Sequence, residues 1–111
     1  HELKTAVAKA KGRTFQKTVR DLLLGTFPSL TNDDIRSTSM GASGEDVLLS
    51  AVAREKFRYS IECKSRHGIA VYSWLEQRAD GAYPPIVFAK ANHKEPIVIL
   101  YAKDFLKLFH E

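Results

Sequence analysis

The sequence predicts a mixed α/β domain in which helices flank a central sheet. Three observations carry that expectation. An apolar stripe of helical period occupies the start of the chain, and short β-rich runs bounded by Gly and polar turns follow it. A second helical pattern then precedes two further β-rich runs and a short amphipathic tail. With 111 residues, 44% of them hydrophobic and 27% charged, the chain has the make-up of one globular domain, residues 1–111, with one modest core.

Residues 3–24 read as the first helix. Phe15, Val19, Leu22 and Leu23 recur at i, i+4, i+7 and i+8 and form one stripe. Gly25 and Pro28 are stop signals. Residues 31–34 are turn-like, and 35–39 fit a short polar strand. The glycines of GASGEDVLLS, residues 41–50, make a turn, and a strand starts near Glu45. Its consecutive Val47, Leu48 and Leu49 suit a strand covered on both faces. Residues 51–57 fit a short helical turn or a loop equally well. Residues 59–65 read as the next strand, ended by Gly68. Residues 70–79 read as a helix, with Val71, Trp74 and Leu75 on one stripe and Trp74 in the core. Residues 85–90 and 97–102 read as paired or neighbouring strands joined by the polar ANHKE segment. Residues 103–109 close the chain as a short helix, with Asp104 in its first turn, where a carboxylate suits the dipole.

Net charge is +4 with His neutral, and its distribution is uneven. Lys4, Lys9, Lys11, Arg13, Lys17 and Arg20 crowd the first helix, opposed only by Glu2 before Asp21. Such a segment suits a polyanionic partner, because each cation that meets a phosphate releases a counterion. A solubilising helix face accounts for it about as well. Cys63 is the only cysteine, which excludes an intrachain disulfide and a Cys-based zinc cluster and fits a reducing compartment. No apolar run approaches the ~20 residues that span a membrane, and no signal-peptide pattern is present. The four histidines show no zinc-site spacing, and no Ser–His–Asp arrangement suggests a nucleophile.

The chemistry-bearing residues are Asp46, Glu62 and Lys64. Glu62 and Lys64 are two apart, so on a strand they share a face, while Ile61 and Cys63 turn to the core. If the strands through 46 and 62 pair, both acids approach one point at the sheet end. Two carboxylates with the Cys63 backbone carbonyl and waters suit a hard divalent ion such as Mg²⁺. Phosphodiester hydrolysis is the chemistry such an ion supports, with Lys64 orienting water or stabilising charge on phosphorus. Gly41 and Gly44 let backbone approach a phosphate closely.

The pattern Gly41-x-x-Gly44-x-Asp46 followed by Glu62-Cys63-Lys64 resembles the PD-(D/E)xK nuclease superfamily. Within it the chain is similar to the small Holliday-junction-resolvase-like nucleases of archaea and bacteriophages. The likeness runs from the basic first helix through RSTSMGASGEDVLLS and SIECKS to PIVILYAKDFLKLF. It implies a restriction-endonuclease-like fold, a mixed central β-sheet flanked by helices with an αβββαβ core. It implies Asp46 and Glu62 as Mg²⁺ or Mn²⁺ ligands and Lys64 as the catalytic lysine. The helix after the Glu-x-Lys strand carries Gln77 where some members place a glutamine near that lysine, although solvent exposure explains Gln77 as simply. The resemblance also implies a Glu on the first helix; the matching position is Gln16, a neutral amide that cannot act as a base.

Arg13, Lys17, Arg36 and Arg66 fit a basic rim that holds polyanionic substrate, and Ser37 and Ser39 fit hydrogen bonds to phosphate or turn caps. The expected activity is a metal-dependent endonuclease nicking branched DNA, intracellular, acting as a homodimer and without a membrane. Other DNA structures as substrate, or a non-cleaving nucleic-acid-binding module of the same fold, are the alternatives.

Overall fold

The computed structural model describes residues 2–38, 45–78 and 81–111; in the first helix, side chains are described at residues 6, 7 and from 10 onward. The element order is α1 (Glu2–Thr26), β1 (Ile35–Ser37), β2 (Val47–Leu49), α2 (Ala51–Lys56), α3 (Val71–Glu76), β3 (Ile86–Ala89), β4 (Ile97–Leu100) and α4 (Ala102–Leu106). The mixed α/β class is as expected. The strands form two antiparallel pairs, β1–β2 and β3–β4, where one mixed sheet was expected. The chain divides into two compact units, residues 1–65 with Glu111, and residues 66–110.

The first unit is built around α1. The buried positions on it are Gln16 and Leu23, with Phe27 just beyond its end. Phe15 and Leu22, placed on the core stripe by the sequence pattern, are 37% and 41% exposed. The buried face is therefore rotated by about one residue from the expected one. The cause is the anchor at the helix end. The Phe27 N–H still donates to the Leu23 carbonyl at 2.9 Å, and Phe27 is 1% exposed, so its direction sets the phase of the turns before it. Pro28 offers no N–H to continue the helix.

The α1 helix packs on the β1–β2 ladder, whose register pairs Ile35 with Leu49, Arg36 with Leu48 and Ser37 with Val47. Side chains alternate along a strand, so Ile35, Ser37, Val47 and Leu49 share one face and Arg36 and Leu48 the other. Ile35 and Val47 are fully buried and join Leu23, Phe27, Leu30, Ala53 and Phe57 in the core of this unit.

Residues 51–56 take the helical alternative. Ser50 caps that helix by accepting a hydrogen bond from the Ala53 N–H at 3.1 Å. The Ser50 hydroxyl donates in turn to Asp34 Oδ1 at 2.8 Å, and the Ser50 N–H donates to the Asp34 carbonyl at 2.8 Å. Asp34 Oδ2 accepts from the N–H of Thr31 at 2.9 Å. These bonds, the Thr31 backbone donor foremost, hold the Asp34 carboxyl below the usual carboxylate range. One aspartate thus ties the entry of β1 to the exit of β2.

Glu111 supplies a second polar clasp. Its carboxylate accepts from the Ser29 N–H at 2.8 Å and from the Ser29 hydroxyl, and it pairs with Lys56 Nζ at 3.0 Å. The Ser29 hydrogen bonds lead in pulling its pKa down to about 2. A depressed carboxylate contributes stability that is complete above its ordinary pKa and is lost as pH falls through its folded value. Replacing it, Glu111→Gln, should therefore lower Tm at neutral pH, and the difference from wild type should shrink between about pH 4.5 and 2. Thermal melts followed by circular dichroism across that range test this; a difference that is independent of pH would refute it.

The second unit pairs β3 and β4 with Ile86 opposite Leu100, Val87 opposite Ile99, Phe88 opposite Val98 and Ala89 opposite Ile97. The connection turns at His93, whose φ of 63° is left-handed. The α3 helix packs on this hairpin through Leu75, 3% exposed. Trp74, expected in the core, is 43% exposed, because Leu75 takes the inward position of so short a helix. The α4 helix carries Asp104 in its first turn, as expected, and ends in an edge-to-face contact of Phe105 with Phe109 at 5.3 Å. Among the described residues no helix is long and apolar enough to cross a membrane.

Candidate functional site

Asp46 lies at the junction of three segments. Its carbonyl accepts from the Thr38 N–H and from Thr38 Oγ1, both at 3.1 Å, which ties it to the end of β1. On its other side its N–H donates to the Ile61 carbonyl at 3.0 Å. Its side chain reaches the same segment, where Oδ2 accepts from the Cys63 N–H at 2.6 Å.

That last bond explains the departure at residues 59–65, where a strand was expected. The segment lies beside Asp46, but a carboxylate occupies the Cys63 N–H where a backbone carbonyl would continue a ladder. Residues 59–65 therefore do not join the ladder as a strand. The alternation of a strand survives nonetheless: Ile61, Cys63 and Ser65 are half-buried, while Glu62 and Lys64 are exposed. Glu62 and Lys64 accordingly share a side and form an ion pair of 3.1 Å, with side chains 58% and 61% exposed. A pair so exposed contributes only about 0–1 kcal/mol to stability.

Electrostatics brings the two acids to a common neighbour. Burial pushes the Cys63 thiol up, and the Asp46 and Glu62 carboxylates raise it further. Cys63 is free and only half-buried, where a core position was expected. Its backbone N–H is the group the structure shows engaged.

Arg54 braces the arrangement. Its guanidinium takes Glu45 by both carboxylate oxygens, at 2.8 and 3.2 Å, and also donates to the Tyr59 carbonyl. The residue before Asp46 and the segment leading to Glu62 are thus held by one planar cation. Arg54, Glu45 and Thr38 were not singled out from the sequence. Their partners are five to nine residues away along an irregular path, a separation with no periodic signature.

Arg13, Gln16 and Lys17 lie at i, i+3 and i+4 on α1 and share one side of it. With Ser37 and Thr38 of the adjacent strand end they line a cavity of about 170 Å³. Arg36, grouped with these from the sequence, is exposed on the opposite face of β1 from Ser37. Ser39, Gly41 and Gly44 lie outside the described residues. Gln77 is the exposed C-cap of α3, and Arg66 is exposed; both belong to the second unit.

Among the described residues no three His, Cys, Asp or Glu side chains are grouped to hold a metal ion. The oxygen donors available are those of Asp46 and Glu62 with nearby backbone carbonyls. No hydrogen bond from a described residue occupies Asp46 Oδ1 or Glu62 Oε2. Carboxylate oxygens left open in a wet setting suit a hard divalent cation that keeps part of its water shell. Comparison with protein-family models, with curated proteins and with solved structures finds no match to this chain.

Proposed function

We propose that this chain is a metal-dependent DNA endonuclease with a restriction-endonuclease-like core, most at home on branched DNA such as a four-way junction. One observation carries the reading: Asp46 is bonded through backbone and side chain to the segment that presents Glu62 and Lys64 on one exposed side.

In this reading Asp46 and Glu62, with the Cys63 carbonyl, would hold Mg²⁺ or Mn²⁺. When bound, such an ion polarises a phosphoryl oxygen and lowers the pKa of a coordinated water. The chain's own groups do the rest. Asp46 is fixed by Thr38 on one side and Cys63 on the other, so its free oxygen needs no reorganisation to serve as a ligand. Lys64, held beside Glu62, presents an ammonium to the charge that grows on the phosphate oxygens. Water oxygen joins phosphorus, the bond from phosphorus to the 3′ oxygen breaks, and a proton ends on that oxygen. The products are a 5′-phosphate and a 3′-hydroxyl. Cations of the first helix hold the flanking backbone, and two copies of the chain would address the two strands of a symmetric junction.

The amide at Gln16 keeps a second reading in play, a nucleic-acid-binding module that does not cut. Labelled four-way junction, flap, duplex and single strand, each incubated with Mg²⁺ and with chelator, separate these possibilities. Symmetric nicking of the junction alone supports a resolvase. Cleavage of every substrate supports a less selective nuclease, and binding without product in Mg²⁺ or Mn²⁺ overturns the enzymatic reading.

A further inference from the structure

We propose that the crevice between α1 and the end of β1 is a phosphate-binding subsite, separate from the acidic pair and unsuited to a second cation. Its lining carries the argument. Gln16 is the one buried polar residue among those described, 7% exposed, and its amide makes no hydrogen bond to another described residue. No buried polar side-chain atom among the described residues lacks a partner, so the amide's polar atoms meet accessible space. That space is the cavity of about 170 Å³ that Gln16 lines.

Arg13 and Lys17 flank the amide, and neither is in an ion pair with a described residue. Unneutralised cations beside a cavity repel a metal ion and attract an anion. The donors match a phosphate: a guanidinium fork, an ammonium, the Gln16 amide N–H₂ and the Ser37 hydroxyl. Thr38 plays a different part. Its hydroxyl donates to the Glu45 and Asp46 carbonyls at 3.0 and 3.1 Å, which leaves it as a wall and not a donor. Through that wall the cavity stands one residue's hydrogen bonds from Asp46. That the phosphate belongs to DNA rests on the nuclease reading; that the crevice takes phosphate does not.

The test is titration of the isotopically labelled full chain with inorganic phosphate in chelator, followed by amide resonances, and, in a separate sample free of chelator and phosphate, with diamagnetic Mg²⁺. Phosphate should shift the Gln16 side-chain amide and the Ser37 and Thr38 backbone amides. The Lys17→Ala and Arg13→Ala variants should each weaken that response about tenfold or more. The Gln16→Glu variant, which puts a carboxylate among the donors, should lose the Ser37 and Thr38 response. On duplex DNA without metal, Lys17→Ala should lower the slope of log K against log salt by about one. Phosphate shifts absent in wild type, or a shift of the Gln16 side-chain amide by Mg²⁺ in wild type, would overturn the subsite. Phosphate binding here in a chain that cuts no DNA would instead retire the nuclease reading and leave the subsite standing. Cleavage without phosphate shifts would do the reverse.

Discussion

Asp46→Asn is expected to reduce Mg²⁺-dependent cleavage by about a hundredfold or more while the chain stays folded and still binds DNA. The substitution separates two jobs of one side chain. An asparagine oxygen can still accept from the Cys63 N–H, the 2.6 Å bond that holds the Glu62 segment against Asp46. What it removes is the negative charge, and a divalent ion held by carboxylates supplies roughly several kcal/mol of transition-state stabilisation, each 1.4 kcal/mol or so being tenfold in rate. Asp46→Ala removes both jobs and leaves a half-buried N–H unsatisfied, so it should also lower stability by about 1–3 kcal/mol. Glu62→Gln and Lys64→Ala complete the comparison. Their pair is more than half exposed, so stability should barely change while cleavage falls. Single-turnover rates on a labelled junction, beside urea melts of each variant, read both effects. Normal cleavage by Asp46→Asn would remove Asp46 from the reaction.

What the sequence made legible was local and periodic. The α/β class followed from switches between helical and alternating patterns, and those switches are present. The pairing of β3 with β4 followed from two apolar runs around a polar turn. Glu62 and Lys64 were legible as a same-side pair because period-two alternation needs no knowledge of the rest of the fold. The failures have a common physical source, the override of a local pattern by a contact distant in sequence. Phe15 and Leu22 look like core on a helical wheel, but the wheel's phase is set by where Phe27 and the β1–β2 face pull the helix. Residues 59–65 look like a strand, but Asp46 places a side chain where ladder bonding needs a backbone acceptor. Thr38 and Arg54 carried no signal, because a hydroxyl and a guanidinium become site-shaping only through carbonyl and carboxylate partners that the fold delivers. Gln16 was legible as a departure from an expected acid, whereas the cavity around it required the strand end beside the helix.

The Phe27→Ala variant is expected to be the most damaging single change to stability, costing roughly 3–5 kcal/mol. Phe27 is 1% exposed and lies just beyond the end of α1. Its N–H closes the last turn of α1 on Leu23, and its carbonyl accepts from Leu30 at 2.9 Å, so its backbone is already committed to the turn. Its ring then meets Phe57 edge-on, with centroids 6.3 Å apart, and Phe57 in turn meets Tyr59 at 5.0 Å. Truncation removes the ring from this aromatic cluster and leaves a void the fixed backbone cannot close. The loss is a large share of the ~5–15 kcal/mol that a whole domain possesses. Because Tyr59 opens the segment bearing Glu62, the void also loosens the support beneath the acidic pair. Phe15→Ala is the control, since it deletes the same side chain from the same helix at a position 37% exposed, and it should cost about 1 kcal/mol. Urea denaturation should show a lower midpoint for Phe27→Ala with the slope unchanged. If Phe15→Ala proved the costlier of the two, the buried face of α1 would be the one read from the apolar stripe, and the cavity lined by Gln16 would lose its place in the fold.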